Sequence, residues 1–456
     1  MQAAAIVLAA GEGTRMRSSL PKVAHQILGV PLVRYVIDAA RAAGVERVVT
    51  VVGHGSETVA EIVADTRIAE QDRQLGTGHA VASAVGALAD FEGPVLVLAG
   101  DVPLIRAETL SRLIETQLQS GAACALLTTR FSDPTGYGRI VRDETGSVRA
   151  IVEHKDLAPE QCSIDECNVG IYCFEAGALF SSLERVTPHN AQGEYYLTDV
   201  VRLLNEAGRR VEGVVLEDAD ESHGINTRVQ LAAAARIMQR RINEAHMLAG
   251  VTMTDPELVW VGPAVTLARD VLLEPMTSLF GATTVAEGAV LGPNTRVFDG
   301  VVGPGALVEQ SVVRGARIGA GALVGPNAFL RPGTVLEAGS KVGSFVEVKK
   351  STVGERSKVP HLSYIGDATI GRDVNVGAGT ITCNFDGRAK HATVIGDGAF
   401  IGSDTMLVAP VTIGPGAITG AGSAISKDVP EDSLGIERSQ QRNIQGWAAR
   451  RRSGEE

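Results

Sequence analysis

A glycine loop with two cations follows the first apolar run of the chain. Leu8-Ala9-Ala10-Gly11-Glu12-Gly13-Thr14-Arg15-Met16 closes the run AAAIVLA, and Lys22 comes six residues later. Glycines let backbone N–H groups approach phosphate oxygens, and Arg15 and Lys22 add positive charge. Met16 stands where the dinucleotide fingerprint requires Gly, and the Gly-Lys-Ser/Thr ending of a Walker loop is missing. The pattern favours another kind of phosphate loop over an ordinary βα turn with solvated charges.

An acidic residue closes another apolar run. Asp101 follows PVLVLAG and precedes Val102-Pro103. A carboxylate at the end of a strand suits Mg²⁺, which binds one or two protein oxygens together with phosphates and water. A helix N-cap is the alternative use of such an Asp.

A histidine in the second half is a candidate general base. His361 lies in Pro360-His361-Leu362-Ser363-Tyr364, between Lys349 and Asn384 in the chain. Imidazole titrates near neutrality and can take a proton from an attacking amine. From the residue alone, a structural histidine is the alternative.

The elements that carry the first two motifs alternate between strand and helix. From Ala3 to about residue 130, short apolar runs alternate with helical patterns, which predicts βαβ units and a parallel sheet covered by helices. Ligands of such sheets bind beyond the carboxyl ends of the strands. The loops 9–17 and 99–103 lie at such ends.

The second half follows a period of six residues. A helix rich in Ala, Arg and Leu is predicted over 228–248, and a six-residue aliphatic repeat follows it, which is typical of a parallel β-helix rather than a Gly-rich loop region. The register breaks at about 349–369 and 383–394, where we expect inserted loops that carry function. The aliphatics in register are Ile318, Val324, Leu330, Leu336, Val342, Val348, Ile395, Ile401, Leu407 and Ile413.

Composition narrows the function class. The 456 residues carry a formal net charge of −11, which argues against general nucleic-acid binding. Five cysteines without a CxxC pair predict neither a disulfide framework nor a zinc site. The cysteine pattern fits a reducing cytoplasm, and the N-terminus resembles neither a signal peptide nor a membrane span, so we expect a cytoplasmic protein that does not bind membranes.

Taken together, the motifs resemble a known family over nearly the whole chain. The first loop with Leu20-Pro21-Lys22 resembles sugar-phosphate nucleotidyltransferases. The remaining motifs resemble the bifunctional bacterial N-acetylglucosamine-1-phosphate uridylyltransferases/glucosamine-1-phosphate acetyltransferases. They are Gln71, Leu75-Gly76-Thr77-Gly78-His79-Ala80, Gly100-Asp101-Val102-Pro103-Leu104, Asp133-Pro134-Thr135-Gly136-Tyr137-Gly138-Arg139-Ile140, Ile151-Val152-Glu153-His154-Lys155-Asp156, Asn168-Val169-Gly170-Ile171 and Asn226.

The resemblance implies an α/β fold with two catalytic parts. A Rossmann-like nucleotidyltransferase domain is expected at 1–227, a connecting helical arm at 228–250, a left-handed parallel β-helix of hexapeptide repeats with acetyltransferase activity at 251–436, and a C-terminal tail at 437–456. It also implies a homotrimer with acetyl-transfer sites shared between subunits. The product, UDP-N-acetylglucosamine, would feed peptidoglycan, lipopolysaccharide or other cell-envelope glycans.

For uridylyl transfer, the resemblance assigns UTP as substrate, Mg²⁺ as cofactor and a set of residues. Asp101 and Asn226 would hold Mg²⁺, and Arg15 and Lys22 would be catalytic through the phosphates. The residues expected to bind UTP or UDP-N-acetylglucosamine are Leu8, Ala9, Ala10, Gly11, Lys22, Gln71, Gly76, Thr77, Gly138, Glu153, Asn168 and Asn226. Gln71, Gly76 and Thr77 would read uracil, and Gly138, Glu153 and Asn168 the sugar. His79 is expected at a helix start in a structural role.

For acetyl transfer, His361 would be the base, with Glu347 orienting its imidazole. The residues implied to bind glucosamine-1-phosphate are Arg331, Lys349, Tyr364, Asn375 and Asn384. Those implied to bind acetyl-CoA are Ala378, Asn384, Phe385, Ser403, Ala421 and Arg438. The chain departs from the family pattern at Ala99, where an aromatic is familiar, at Phe385, where Tyr is familiar, and at Pro360, where Gly is familiar.

Two alternatives remain open at this level. One is a single-activity nucleotidyltransferase for glucose or mannose phosphate whose β-helix serves only assembly or regulation. The other is a scaffold that has kept both folds and lost its chemistry. The His361, Lys349 and Asn384 set opposes the first, and the presence of Arg15, Lys22 and Asp101 opposes the second.

Overall fold

The computed structural model describes residues 2–53 and 57–454. Contacts divide the chain into two compact units, with the boundary between Met238 and Gln239. That boundary falls inside the helix Arg228–Leu248, so the predicted arm is shared between the units. Within the described ranges, no helix is long and apolar enough to cross a membrane.

The first unit is built on a nine-stranded sheet. Its strands, together with a separate β2–β3 pair, are β1 (Ala3–Ala9), β2 (Gln26–Ile27), β3 (Val30–Pro31), β4 (Val45–Gly53), β5 (Arg67–Gln71), β6 (Pro94–Ala99), β7 (Cys124–Arg130), β8 (Arg139–Arg142), β9 (Val148–Val152), β10 (Glu166–Glu175) and β11 (Val211–Val215). The order is β11-β7-β10-β6-β1-β4-β5, and β8 joins β10 and β9.

Strand direction separates the early strands from a later one. β1 pairs in parallel with β4 and β6, and β4 pairs in parallel with β5, as the alternation over 3–130 predicts. β10 lies outside that stretch and runs antiparallel to both β6 and β7, so the sheet is mixed. The helices are α1 (Leu32–Ala42), α2 (Glu57–Ile62), α3 (Thr77–Ala84), α4 (Ala107–Ser120), α5 (Ala176–Leu183), α6 (Asp199–Glu206) and α7 (Arg228–Leu248).

Two apolar cores lie on the two faces of this sheet. Ile6 packs into one core with residues of α3, whereas its neighbours Ala5 and Val7 pack into the other with residues of α1 and α4. Successive side chains of a strand point to opposite faces, so a strand covered on both sides must be apolar throughout. This explains the uninterrupted AAAIVLA of β1, which leads directly into the glycine loop.

The second unit consists of three long parallel sheets, here called I, II and III. Sheet I contains Thr252–Met253, Leu272–Leu273, Val290–Leu291, Leu307–Val308, Leu323–Val324, Lys341–Ser344, Lys358–His361, Asn375–Val376, Phe400–Ile401, Ile418–Thr419 and Leu434–Gly435. Sheet II contains Trp260–Val261, Ser278–Phe280, Arg296–Phe298, Val312–Arg314, Phe329–Leu330, Glu347–Lys349, Tyr364–Gly366, Ile381–Cys383, Met406–Val408 and Ala424–Ile425. Sheet III contains Thr266–Leu267, Thr284–Val285, Val301–Val302, Arg317–Ile318, Val335–Leu336, Thr352–Val353, Ala368–Ile370, Thr393–Ile395 and Val411–Ile413.

The period of six produces this architecture. The chain visits sheets I, II and III in turn, so every third strand pairs with its equivalent one coil later, as Val324 does with Val342 and Leu330 with Val348. All ten predicted aliphatics are buried in one continuous core. The sheets are consistent with the predicted left-handed parallel β-helix of hexapeptide repeats.

The first predicted insertion is wrong. Across 349–369 the coil continues: Val348 pairs with Ile365, and Val353 with Ile370. Two hexads are one residue short here, at Val348 to Val353 and at Ile365 to Ile370, so a rigid count of six loses the register without any inserted loop. His361 therefore ends a strand of sheet I.

The second break is a true excursion. The chain leaves sheet II after Cys383 and rejoins the coil in sheet III at Thr393. A bridge between Phe385 and Lys390 closes the loop between these strands. At the far end, helix α8 (Trp447–Ser453) is exposed throughout its length.

Candidate active sites

A cavity of about 400 Å³ opens at the carboxyl ends of β1, β5 and β6 in the first unit. Eight of the residues that line it are predicted site residues, namely Leu8, Ala10, Gly11, Lys22, Gln71, Gly76, Thr77 and Asp101. The other lining residues are Val23, Gln74, Ala80, Ala99 and Glu194. Ala9, also predicted, is not among the lining residues and is buried in the core that includes residues of α1 and α4. The cavity lies at the edge of the sheet where ligands of parallel α/β sheets bind.

Lys22 lies between two oxygens at one end of this cavity. Its Nζ forms an ion pair with Asp101 Oδ2 and donates to Asn226 Oδ1 at 3.1 Å. The same amide oxygen accepts from Arg15 Nη2 at 2.8 Å. Only 15% of the Lys22 side chain and 16% of the Asp101 side chain are exposed, so this pair is largely shielded from water.

Backbone contacts place these four side chains together. Gly100 N donates to Leu8 O at 2.9 Å, which joins the loop after β6 to the end of β1. Ile225 N donates to Asp101 O at 2.9 Å and so brings the segment ending at Asn226 against the metal candidate. Gly13 has a φ of 65°, and a Cβ there would clash with Lys22 Cβ. The glycine is therefore required for the close approach of Lys22.

The oxygens of Asp101 and Asn226 form a donor set suited to Mg²⁺. Both accept from one ammonium nitrogen, so they converge on a single cationic position. Mg²⁺ prefers such hard oxygens and completes its shell with phosphates and water. The residues present therefore fit the predicted ion.

The loop before α3 forms the opposite end of the cavity. Gln71, the last residue of β5, is only 4% exposed. Gly76 has a φ of 111°, and a Cβ there would lie 2.6 Å from Tyr195 O. Thr77 Oγ1 accepts from Leu197 N at 3.0 Å. This wall is thus held by the segment around Tyr195, which sequence reasoning missed.

Two further lining residues were also missed. Gln74 Nε2 donates to Ala10 O at 2.8 Å and so ties the α3 loop to the glycine loop. Glu194 lines the cavity from the segment whose Tyr195 N donates to Leu75 O at 2.8 Å. A contact across such sequence separation leaves no local spacing pattern, which explains the omission.

The predicted sugar-binding residues lie on β8, β9 and β10 and their flanks. Asn168 N donates to Gly138 O at 2.9 Å, and a Cβ on Gly138 would lie 3.4 Å from Glu153 Oε2. The structure therefore brings all three residues together. Burial raises the pKa of Glu153, whose Oε1 accepts from Thr198 Oγ1 at 3.2 Å.

In the second unit, several predicted residues stack at the corner between sheets I and II. Gly379 N donates to His361 O at 3.4 Å, Asp404 N to Ala378 O at 2.7 Å, and Gly422 N to Ser403 O at 2.8 Å. Arg438 Nη1 donates to Ala421 O at 2.9 Å. We call this stack, formed by His361, Ala378, Ser403, Ala421 and Arg438, the acyl column. Asn375 lies beside it, paired with Lys358 on sheet I.

Another set lies on sheet II and the corner after it. Arg331 Nη1 donates to Glu347 Oε1 at 2.8 Å, and Asp367 N donates to Lys349 O at 3.1 Å. Asn384 Nδ2 donates to Asp367 Oδ2 at 2.5 Å. A Cβ on Gly366 would meet Tyr364 OH at 2.6 Å and Asn384 Nδ2 at 2.7 Å, so these two groups lie over the same backbone position. We call Arg331, Lys349, Tyr364 and Asn384 the phosphate column.

The two columns occupy different corners of the coil. His361 pairs with Ser344, whereas Glu347 pairs with Tyr364 and forms an ion pair with Arg331. Within the part of the chain that the structure describes, the His361 imidazole has no hydrogen-bond partner. The expected Glu347–imidazole contact is therefore not formed within this chain.

The excursion after Cys383 contributes to the phosphate column. Phe385, predicted at the acetyl-CoA site, is 59% exposed and bridges Lys390. Lys390 approaches Lys349 and lowers the pKa of that ammonium group. Lys390 and Asp367 were not among the predicted residues. The first follows an Asn-Phe-Asp-Gly turn, which signals only a loop.

Comparisons with known proteins match both units. Residues 5–163 match the model of the MobA-like NTP transferase domain, and residues 392–427 match that of the bacterial transferase hexapeptide (six repeats). The chain is 50% identical over 451 residues to the bifunctional protein GlmU of Heliobacterium modesticaldum, covering 99% of this chain and 98% of that protein. It is 51% identical over 458 residues to the bifunctional protein GlmU of Streptomyces coelicolor, covering 99% and 95% respectively.

Proposed function

The chain belongs to the bifunctional GlmU family, and we propose that each of its two units carries one reaction of UDP-N-acetylglucosamine synthesis. The chain is a uridylyltransferase and an acetyltransferase of that synthesis. The observation that supports the division most directly is that the cation cluster of Arg15, Lys22, Asp101 and Asn226 lies wholly in the first unit, whereas His361 lies in the second.

In the first unit, an oxygen of N-acetylglucosamine-1-phosphate attacks the α-phosphorus of UTP. The new P–O bond replaces the bond to pyrophosphate, which leaves with its negative charge. Little covalent help is needed, so catalysis comes from positioning and from cations that stabilise the developing charge. Arg15 and Lys22 supply those charges, since both donate to Asn226 beside the end of the cavity that Lys22 and Asp101 line.

Asp101 and Asn226 would hold Mg²⁺ in this proposal. The ion, when bound, neutralises phosphate charge and orients the triphosphate. Asp101 pairs with Lys22 in this structure, and the pairing compensates a largely buried carboxylate, whose charge would be costly without a partner.

The remaining residues of the first unit recognise the two ends of the product. The nucleotide is bound by residues that line the cavity, with Ala9 buried next to two of them in the chain; the lining residues are Leu8, Ala10, Gly11, Gln71, Gly76 and Thr77. Gly138, Glu153 and Asn168 bind the sugar, consistent with their mutual contacts on β8 to β10.

In the second unit, His361 accepts the proton of the glucosamine-1-phosphate amine as its nitrogen attacks the thioester carbon of acetyl-CoA. The C–S bond breaks, and coenzyme A leaves as the thiol once it has taken up a proton. The Ala378 N–H, which has no hydrogen-bond partner among the described residues, stabilises the oxyanion. Ser403, Ala421 and Arg438 continue the acyl column and bind coenzyme A, together with Asn384 and Phe385.

Arg331 and Lys349 bind the phosphate of glucosamine-1-phosphate, and Tyr364, Asn375 and Asn384 bind its sugar. The acyl and phosphate columns lie at different corners of one coil, so we propose a homotrimer in which His361 of one subunit faces the phosphate column of the next. Sedimentation should then give three times the chain mass. Mixed trimers of His361→Ala and Lys349→Ala chains should regain acetyl transfer, because some of their sites combine the intact columns.

A substrate-omission experiment tests the two reactions. Glucosamine-1-phosphate, acetyl-CoA and UTP supplied together with Mg²⁺ should yield UDP-N-acetylglucosamine, and without UTP the reaction should stop at N-acetylglucosamine-1-phosphate. Chelating the metal should abolish pyrophosphate release. A chain that makes UDP-sugar only from N-acetylglucosamine-1-phosphate would lack the acetyl reaction. Failure to release pyrophosphate with that substrate would refute the uridylyl reaction.

A further inference from the structure

His79 contacts Gln71, a buried side chain that lines the end of the cavity proposed to bind the base. Gln71 Nε2 is 3.2 Å from Gly76 O and 3.0 Å from His79 Nδ1. His79 lies in the first turn of α3, and its ring is tilted against that of Tyr195, with the centroids 6.4 Å apart. The motif Leu75-Gly76-Thr77-Gly78-His79 thus supplies both partners of the same amide nitrogen.

These two contacts fix which way the Gln71 amide points. A carbonyl oxygen only accepts, so the NH₂ group of Gln71 must face Gly76. Its second hydrogen points to His79 Nδ1, which therefore accepts with its lone pair while the ring proton sits on Nε2. Both hydrogens of the amide are then used within the protein. The atom left for a ligand is Oε1, which can only accept.

We propose that His79 is a positioning residue that sets the base selectivity of uridylyl transfer by holding the Gln71 amide in this orientation. This rests on the proposed role of Gln71 in reading the base. An acceptor facing the ring edge at N3 matches uracil, whose N3 carries a hydrogen. It opposes cytosine, whose N3 is itself an acceptor. If the amide turned over, its NH₂ would favour cytosine at the same position.

The energetic reason is that a mismatched pair inside a cavity leaves both acceptors unsatisfied. A site built to hydrogen-bond one partner rejects an analogue that cannot complete the bond far better than it rejects a change of size. Gly76 O holds one of the two amide hydrogens and His79 the other, so both groups oppose the turn of the amide. Losing His79 should weaken selectivity without abolishing it.

The experiment compares kcat/KM for UTP with that for CTP in four variants. His79→Leu removes the acceptor, and His79→Gln moves the polar group one carbon further and serves if the leucine variant does not fold. His79→Asn is the matched control, because its Oδ1 can accept near the position of Nδ1. Gln71→Leu tests the base-reading role itself. Acetyl transfer by the same preparations, which uses the second unit, reports the amount of folded protein.

We expect His79→Leu and His79→Gln to lower the UTP:CTP selectivity about tenfold, the equivalent of one hydrogen bond, mainly through a higher KM for UTP and a lower one for CTP. His79→Asn should keep most of the selectivity. Equal losses for both nucleotides, with the ratio unchanged in His79→Leu and His79→Gln, would overturn the proposal. If Gln71→Leu also kept the ratio, the base-reading role of Gln71 would fail with it. If only Gln71→Leu lost the ratio, the role of His79 alone would fail.

Discussion

The two units assemble polar groups in different ways. In the first, loops from several strands of a sheet converge. Four chain segments meet there, and they contribute Arg15, Lys22, Asp101 and Asn226 to one hydrogen-bonded cluster. In the second, the coil repeats each position along a column, so the candidate residues form two rows at separate corners. A wound sheet can bring the groups of a site together within one chain, whereas a solenoid places its repeated positions in separate rows along its length.

The largest test of this contrast is His361→Ala. Removing a general base lowers a proton-transfer rate by about 10²–10⁴-fold, so acetyl transfer should fall by that factor while uridylyl transfer stays unchanged. Both rates are measured on one preparation, the first by release of free thiol and the second by release of pyrophosphate. Wild-type acetyl transfer in a folded variant would remove the histidine from the mechanism.

Asp101→Asn is the reciprocal change. It keeps the shape of the side chain but removes the charge that pairs with Lys22, so uridylyl transfer should fall by about 10²–10³-fold, comparable to losing one electrostatic stabiliser. The metal concentration needed for half-maximal rate should rise. Acetyl transfer by the same variant is the control, and a loss of both activities would contradict the independence of the two units.

Gly76→Ala tests the backbone at the cavity wall. The φ of 111° and the 2.6 Å approach of a Cβ to Tyr195 O both oppose a side chain, so we expect a loss of about 1–3 kcal/mol in unfolding free energy and a raised KM for UTP. Gly146→Ala is the matched control, because its φ of 83° is similar but nothing lies within 4 Å of the new Cβ. Chemical denaturation measures the difference, and equal losses in both variants would mean that the wall contact is unimportant.

The smallest expected effect concerns Glu153. Burial raises its pKa above that of the unfolded chain, so the folded protein holds this proton to higher pH. Stability is therefore favoured at low pH and decreases as the pH rises through the folded pKa. The Glu153→Gln variant should have a larger free energy of unfolding than wild type at neutral pH. This difference should shrink as the solution is acidified to about pH 4, near the ordinary pKa of Glu. A difference that grew on acidification would show that the carboxylate is stabilised in its charged form.

The two units also differ in how much of their structure the sequence predicts. The hexad aliphatics were predicted from the residues because a solenoid makes packing periodic along the chain. Counting by a rigid six still produced a false insertion around His361, since the coil shortens by one residue at Val353 and at Ile370 without losing its strand pairs. Spacing reveals a repeat, but it does not distinguish a contracted turn from an inserted loop.

In the first unit, the sequence predicts the local motifs but not the long-range contacts. The glycine loop and Asp101 are local patterns, and the sequence places both at strand ends. The contributions of Glu194 and Tyr195 depend on contacts more than a hundred residues from Gly76 in the chain, and no spacing rule reaches across that distance. The assignment of Asn226 came only from family resemblance. Its contact with Lys22 is visible only after folding.

The acyl column has a geometric consequence for the acyl donor. Successive coils are separated by roughly 4.8 Å, the spacing of neighbouring strands, so the residues of the column lie at regular intervals along the axis of the coil. Its members on four successive coils are His361, Ala378, Ser403 and Ala421. A donor whose reactive carbon reaches His361 must extend its carrier arm over that fixed number of steps. Deleting one whole coil between Ala378 and Ala421 would preserve the core pattern, yet it would shorten the distance from His361 to Ala421 by one coil and leave it too short for the same arm.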